Sequence, residues 1–321
     1  MKDYIQNVLK EMSVYLNAYQ MKKLQESMVA NASGTDEEPE KSNQEYLNMF
    51  IAAKQIEGCS DRTIDYYSSS IKHLINQAEK SVKFMTTDDI RLYLSDYQKL
   101  RNCSKVTVDN VRRNISSFFT WLEEEDYILK SPMRRIHKIK TKKPVKEVIS
   151  DEAIEKLRDR CDNNRDLAIV DLLYSTGIRV GELVKLNVED INFEERECIV
   201  FGKGDKERKV YFDARTKLHL RRYIEERSDN NPALFVSMNR PYNRLKISGV
   251  EIRLRELGTI SGAGRIHPHK FRRTMATRAI DKGMPIEQVQ KILGHSQIDT
   301  TMQYAIVNQN NVKASHRKFI A

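Results

Sequence analysis

Between Lys130 and Lys146 the chain reads KSPMRRIHKIKTKKPVK, with eight Lys/Arg, no Asp or Glu, and a proline near each end. A helix cannot run through it, because proline lacks the backbone N–H and pushes its predecessor toward extended geometry. The stretch is therefore expected to be an extended basic connector, with a folded body on either side. A chain of 321 residues is long enough for each body to bury a core of its own. A basic strap between two bodies suits a phosphate backbone, which it would hold with salt-sensitive, sequence-independent affinity. Arg134, Arg135, Lys138, Lys140, Lys142 and Lys143 are its candidate phosphate contacts. A nuclear-import-like signal is the competing reading, weakened by the position between two folded regions.

Charge elsewhere points the same way. The net charge is +10, yet residues 1–40 hold four Lys/Arg against seven Asp/Glu, so residues 41–321 carry +13. A basic body behind an acidic start points to a polyanionic partner. Cys59, Cys103, Cys161 and Cys198 are far apart with no C-x-x-C pair, which fits reduced thiols in a cytoplasm and argues against a disulfide framework or a cysteine-ligated zinc. The N-terminus MKDYIQNVLKEM mixes charge into its apolar pattern and does not read as a signal peptide, and no run approaches the roughly 20 apolar residues of a membrane span.

Five segments follow. Residues 1–43 comprise one amphipathic helix over 2–29, with Tyr4, Ile5, Val8, Leu9 and Met12 at helical spacing, then the acidic linker ANASGTDEEPEKSN. That helix is either an oligomerisation or docking element, or packs back on the body. Residues 44–126 read as an all-helical domain whose helix starts fall at Ser60, Thr86 or Thr87, and Ser104. Its polar faces offer Lys105, Arg112 and Arg113 as further DNA contacts, with solvated surface as the alternative for each. Residues 127–149 form the basic linker. Residues 150–308 are mostly helical and carry a hairpin, ECIVFGKGDKERKVYF, turning near Gly202–Asp205. Helices are expected over about 214–228, 246–257 and 268–282, with stops at Gly177, Gly283 and Gly294. Residues 309–321 are a polar tail ending Phe319-Ile320-Ala321.

Within 150–308 four short stretches offer chemistry directed at a phosphodiester. In STGIRVGEL, Arg179 emerges after Gly177 with Glu182 three residues on; a carboxylate holding that guanidinium would present a fixed fork to two phosphate oxygens, though from this segment alone a structural ion pair is the favoured reading. In GKGDKERK, Lys203 sits at a hairpin tip where a lysine can protonate a leaving alkoxide. The rest of a Walker-type phosphate loop is missing, which argues against nucleotide hydrolysis. In HPHKFRRT, His269 and Arg272 share a helix face near its positive end. His267 and His269 lack the further ligand spacing a metal needs. In LGHSQIDTTMQY, Tyr304 follows His295 by nine residues. A tyrosine hydroxyl, with a pKa near 10, attacks phosphorus only where a base takes its proton and cations stabilise the developing charge.

Taken in order, STGIRVGEL, GKGDKERK, HPHKFRR and LGHSQIDTTMQY closely resemble the motifs of the tyrosine recombinases, or phage integrase family, over about residues 44–308. The resemblance implies a mainly α fold: a helical, SAM-like core-binding domain, then a mixed, mostly helical catalytic domain with a small sheet, the two clamping duplex DNA. Carried over, the catalytic residues are Arg179, Lys203, His269, Arg272, His295 and Tyr304. Arg273 stands where many members have histidine, and Ile178 where leucine or methionine is frequent. The implied activity is site-specific cleavage and rejoining of double-stranded DNA through a 3′-phosphotyrosyl ester, for a phage or mobile element, with no ATP, metal or other cofactor. The implied assembly is a homo-oligomer, a dimer on a core site and a tetramer in synapsis, working in the cytoplasm. A type IB topoisomerase, which relaxes DNA without synapsis, and a non-catalytic DNA-binding regulator are the alternatives.

Overall fold

The computed structural model describes residues 2–16, 18–33, 41–78, 80–141, 147–202 and 207–304. The chain divides into two compact units, Met1–Lys143 and Pro144–Ala321. Among the described residues no helix is long and apolar enough to cross a membrane.

The first unit is all helical. Two helices, α1 (Lys2–Met12) and α2 (Ala18–Ser33), replace the single helix expected over 2–29. The break falls in a turn after Met12, where Ser13 Oγ donates to the Lys10 carbonyl. Such local serine bonds compete with helix propagation, which the apolar period does not register. Four helices follow: α3 (Asn43–Ile56), α4 (Asp61–Gln77), α5 (Thr87–Leu100) and α6 (Lys105–Glu124). Capping side chains set their starts. Thr86 and Asp89 form a reciprocal box at α5, and Ser104 accepts from the Thr107 N–H at α6. Helix α6 is central, packing on both α4 and α5. It contributes Ile115, Phe118, Phe119 and Leu122 to a core completed by Phe50, Ile71 and Ile90.

The basic strap departs from a plain extended connector. Pro132–Arg135 forms a 3₁₀ turn capped by Ser131, and Met133 is buried against the helical core with Ile136 and Ile139 packed beside it. The Pro132 carbonyl accepts from Thr87 Oγ1, and the Ile139 N–H donates to Asp109 on α6. Apolar residues three apart gave this run something to bury, so its first ten residues belong to the helical unit rather than to open solvent.

In the second unit, α7 (Asp151–Asp159) and α8 (Asn164–Thr176) lead to a one-turn helix α9 (Val180–Leu183). An antiparallel sheet follows: β1 (Ile191–Asn192), β2 (Glu197–Phe201) and β3 (Glu207–Tyr211), in that order. The two-residue β1 extends the expected hairpin. Next come α10 (Ala214–Glu225), α11 (Ile247–Ile260), α12 (Pro268–Asp281), α13 (Ile286–Leu293) and α14 (Ile298–Met302). Helix α8 is the hub: Ala168, Ile169, Val170, Leu172 and Leu173 are all buried, and α10 and α12 both pack on it. Gly177 ends α8 at φ +63°, a left-handed conformation that favours glycine; a Cβ there would lie 2.5 Å from Met275 Cε, the movable end of a flexible side chain. A satellite cluster of Ala276, Val289, Leu293 and Tyr304 joins α12, α13 and the end of the described chain.

Candidate active site

Arg179 is the N-cap of α9, placed by the Gly177 stop two residues earlier. Glu182, at the third position of that turn, bonds back to the Arg179 N–H at 2.8 Å and takes its Nη1 at 2.9 Å. A second arginine reaches the same carboxylate from the sheet: Arg208 on β3 donates Nη1 to Oε1 at 2.8 Å and Nη2 to Oε2 at 2.6 Å. Burial of Glu182 by itself favours the neutral acid. The Arg208 fork and the Arg179 N–H and guanidinium outweigh it, so its pKa lies below the usual carboxylate value.

The C-terminal end of α13 is held in an unusual way. Three successive carbonyls accept from three different arginines: Ile292 from Arg208 Nε at 2.8 Å, Leu293 from Arg272 Nη2 at 2.5 Å, and Gly294 from Arg179 Nη2 at 3.4 Å. These are the carbonyls a helix leaves without partners, at the negative end of its dipole, so guanidinium groups suit them. Gly294 then turns at φ +64°, and His295 follows directly.

Arg272, on α12, is almost fully buried, at 2% exposure. Its two bonds go to carbonyls only, Leu293 and, at 2.9 Å, Gly177. Among the described residues no carboxylate pairs with it. Burial, then the positive charges of Arg179 and Arg208, lower its pKa to about 10, against the attraction of Glu182 and Tyr304. It remains a cation at neutral pH, and a buried cation that lacks a counter-ion is poised for an anion.

His295 lies beside this cluster. Burial, followed by Arg272, Arg179, Arg208 and His269, lowers its pKa to about 4, so the imidazole is neutral near pH 7. Its Nδ1 is 2.8 Å from the buried Thr301 hydroxyl. When Thr301 donates that proton, Nε2 carries the ring N–H and can donate to a phosphate oxygen. The Tyr304 ring stacks on His295, centroids 6.0 Å apart and planes at 27°. Tyr304 is only 7% exposed and packs with Val289 and Leu293. Arg179, His269 and Arg272 line a cleft of about 570 Å³, together with His267, Arg255 and Arg265.

The structure thus brings Arg179, His269, Arg272, His295 and Tyr304 together from four helical elements. Lys203, whose sequence position falls between the end of β2 and the start of β3, lies outside the described residues. Arg273, next to Arg272, donates Nε and Nη2 to the Glu147 carbonyl at 2.9 and 2.5 Å, tying α12 to the start of the unit, and lies near enough to Tyr304 to interact with it electrostatically. Around His267 and His269, no group of three or more potential metal ligands exists among the described residues.

Of the other DNA candidates, Lys105, Arg113, Arg134, Arg135, Lys138 and Lys140 are exposed on the first unit. Arg112 is largely buried, with Nε on the Asp109 carboxylate at 2.8 Å, which makes it a structural ion pair rather than a free surface cation. Lys142 and Lys143 lie outside the described residues, as does the tail 309–321.

Arg208 and Thr301 are absent from the sequence reading. Arg208 had a signal: it shares the inward face of its strand with Val210, and an arginine on a buried face must find an acceptor. Thr301 had none, because its value depends on where His295 sits.

Comparison with known proteins places the chain in a family. The "Phage integrase family" profile matches residues 135–311, and "Phage integrase, N-terminal SAM-like domain" matches residues 46–129. Tyrosine recombinase XerC of Oceanobacillus iheyensis is 29% identical over 290 residues, covering 85% of this chain and 95% of its own length. Tyrosine recombinase XerC of Leptospira interrogans is 32% identical over 287 residues, covering 85% and 92%. Among solved structures, the Tn1549 transposon integrase in complex with transposon right end DNA superposes with a TM-score of 0.71 at 20% identity, covering 86% of this chain and 99% of that one.

Proposed function

This chain belongs to the phage integrase family and is a site-specific tyrosine recombinase, and we propose that Tyr304 is the residue with which it cleaves DNA. The substrate is duplex DNA. The phenol oxygen of Tyr304 attacks the scissile phosphorus, the bond from phosphorus to the 5′-oxygen breaks, and a 3′-phosphotyrosyl ester forms. Arg179, Arg272 and the neutral His295 take the non-bridging oxygens, where charge grows in the transition state. His269 receives the phenol proton, and Lys203 supplies the proton to the departing 5′-oxygen. Attack by a 5′-hydroxyl on the ester reverses these transfers, so one phosphodiester is exchanged for another and no external energy source is needed. The enzyme is proposed to act as a dimer on each core site and a tetramer in synapsis, in the cytoplasm where such DNA lies. The relatives carry the name XerC and the transposon integrase shares the fold alone, so a mobile-element setting has fold-level support only.

The observation that carries this assignment is Arg272, a buried guanidinium bonded only to carbonyls among the described residues, which lines one cleft with Arg179 and His269 and acts electrostatically on both members of the stacked His295–Tyr304 pair. The test is a suicide DNA substrate nicked beside the cleavage point, read on a denaturing gel. The wild type should form a covalent adduct, and Tyr304→Phe should bind the same DNA and form none. An adduct that persists in Tyr304→Phe would place the nucleophile elsewhere.

A further inference from the structure

We propose that Arg208 is a positioning residue for cleavage: it joins the β3 strand, the Arg179–Glu182 pair and the end of α13 that presents His295 into one unit. The inference rests on the recombinase reading above, and it concerns a residue of GKGDKERK that the assigned roles leave unused.

Three of the five guanidinium N–H groups of Arg208 are engaged, and each goes to a different acceptor atom. Nη1 and Nη2 fork onto the two oxygens of Glu182, and Nε reaches the Ile292 carbonyl. Glu182 in turn holds both the main chain and the side chain of Arg179. The chain from β3 to Arg179 therefore has one joint, a buried carboxylate with both oxygens occupied. From Ile292 it is three residues to His295, across Gly294, whose Cα lies so close that a Cβ would sit 2.9 Å from Arg208 Cδ. The strand that bears Arg208 begins at Glu207, four residues after Lys203 in the sequence. One side chain thus touches the support of Arg179 and of His295 and stands on the strand following Lys203.

Charge gives a second reason. With Arg208 in place, the negative charge of Glu182 is shared between two guanidiniums, and Arg179 keeps positive charge for a phosphate. Without it, the whole carboxylate falls to Arg179, which would then be neutralised by its own support. A lysine keeps the charge but has no planar fork and cannot make the three bonds in one plane.

The experiment compares Arg208→Lys and Arg208→Ala with the wild type in three measurements: affinity for a core-site duplex, unfolding midpoint, and single-turnover cleavage of the suicide substrate. Both variants should bind DNA normally and cleave about a hundredfold more slowly, the scale of loss that follows a misplacement near 1 Å. Added guanidinium ion should restore much of the cleavage rate of Arg208→Ala and none of that of Arg208→Lys, a response that a general loss of structure does not give. Cleavage near the wild-type rate in both variants overturns the proposal. So does a parallel loss of DNA affinity and midpoint in both, which would make Arg208 a strut of the fold. Tyr304→Phe, run alongside, separates the two readings: an adduct there fails the nucleophile assignment, whereas normal adducts in the Arg208 variants fail only this one.

Discussion

Replacing Arg272 by methionine should separate stability from catalysis. The side chain is 2% exposed and no carboxylate among the described residues pairs with it, so within the described structure its charge is met only by carbonyl dipoles and the more distant Glu182. A pKa drawn down from the ordinary guanidinium value to about 10 corresponds to roughly 3 kcal/mol against the charged form. Methionine removes that penalty and keeps most of the volume. Against this, the Gly177 and Leu293 carbonyls each lose a donor, at about 1–3 kcal/mol apiece. The balance runs from about 1 kcal/mol of gain to about 3 kcal/mol of loss, or a midpoint within roughly ten degrees of the wild type. Cleavage should nevertheless fall by about 10²–10³, the loss expected when one donor to developing charge is removed. Thermal unfolding and single-turnover cleavage of the suicide substrate measure the two quantities. Sulfate should raise the midpoint of the wild type more than that of Arg272→Met, since only the former has a cation awaiting an anion. Two results would refute the reasoning. One is near-normal cleavage by Arg272→Met. The other is a stability loss well above 3 kcal/mol, which would show that the fold needs the charge.

Two further outcomes follow from the same geometry. The His295 pKa lies at about 4 in the folded protein, against 6.5 for a free histidine, so between those values only the unfolded chain takes the proton. Stability present above about pH 6.5 is therefore lost as pH falls toward 4, and the midpoint of the wild type should drop more over that window than that of His295→Gln; parallel curves would contradict the burial of a neutral ring. Since side-chain cations do the electrostatic work, adduct formation should survive excess EDTA. Activity lost in EDTA and restored by zinc or magnesium would return His267 and His269 to consideration as ligands.

Much of the helical framework was legible because its signals are local. A cap is read from three residues, as at Thr86 and Ser104, and a stop from one, as at Gly177 and Gly294. The resemblance in four motifs supplied Arg179, His269, Arg272, His295 and Tyr304, and Glu182 could be named as a holder of Arg179 from its three-residue spacing alone. What stayed hidden depends on packing. Nothing within KSPMRRIHKIK says that Met133, Ile136 and Ile139 have a helical core to lie on, and the Ser13 bond that ends α1 leaves the apolar period unbroken. Lys105 and Arg112 look alike in the sequence, and only the buried Asp109 beside Arg112 sets them apart. The arginines at 179, 208 and 272 stand on three elements well separated along the chain. That they meet three consecutive carbonyls at the end of α13 follows from how α8, α9, α12 and the sheet pack together. Periodicity and capping are decided by a residue's neighbours in the chain. The partner of a buried guanidinium is decided by neighbours in space, and those are chosen only when the whole unit closes around it.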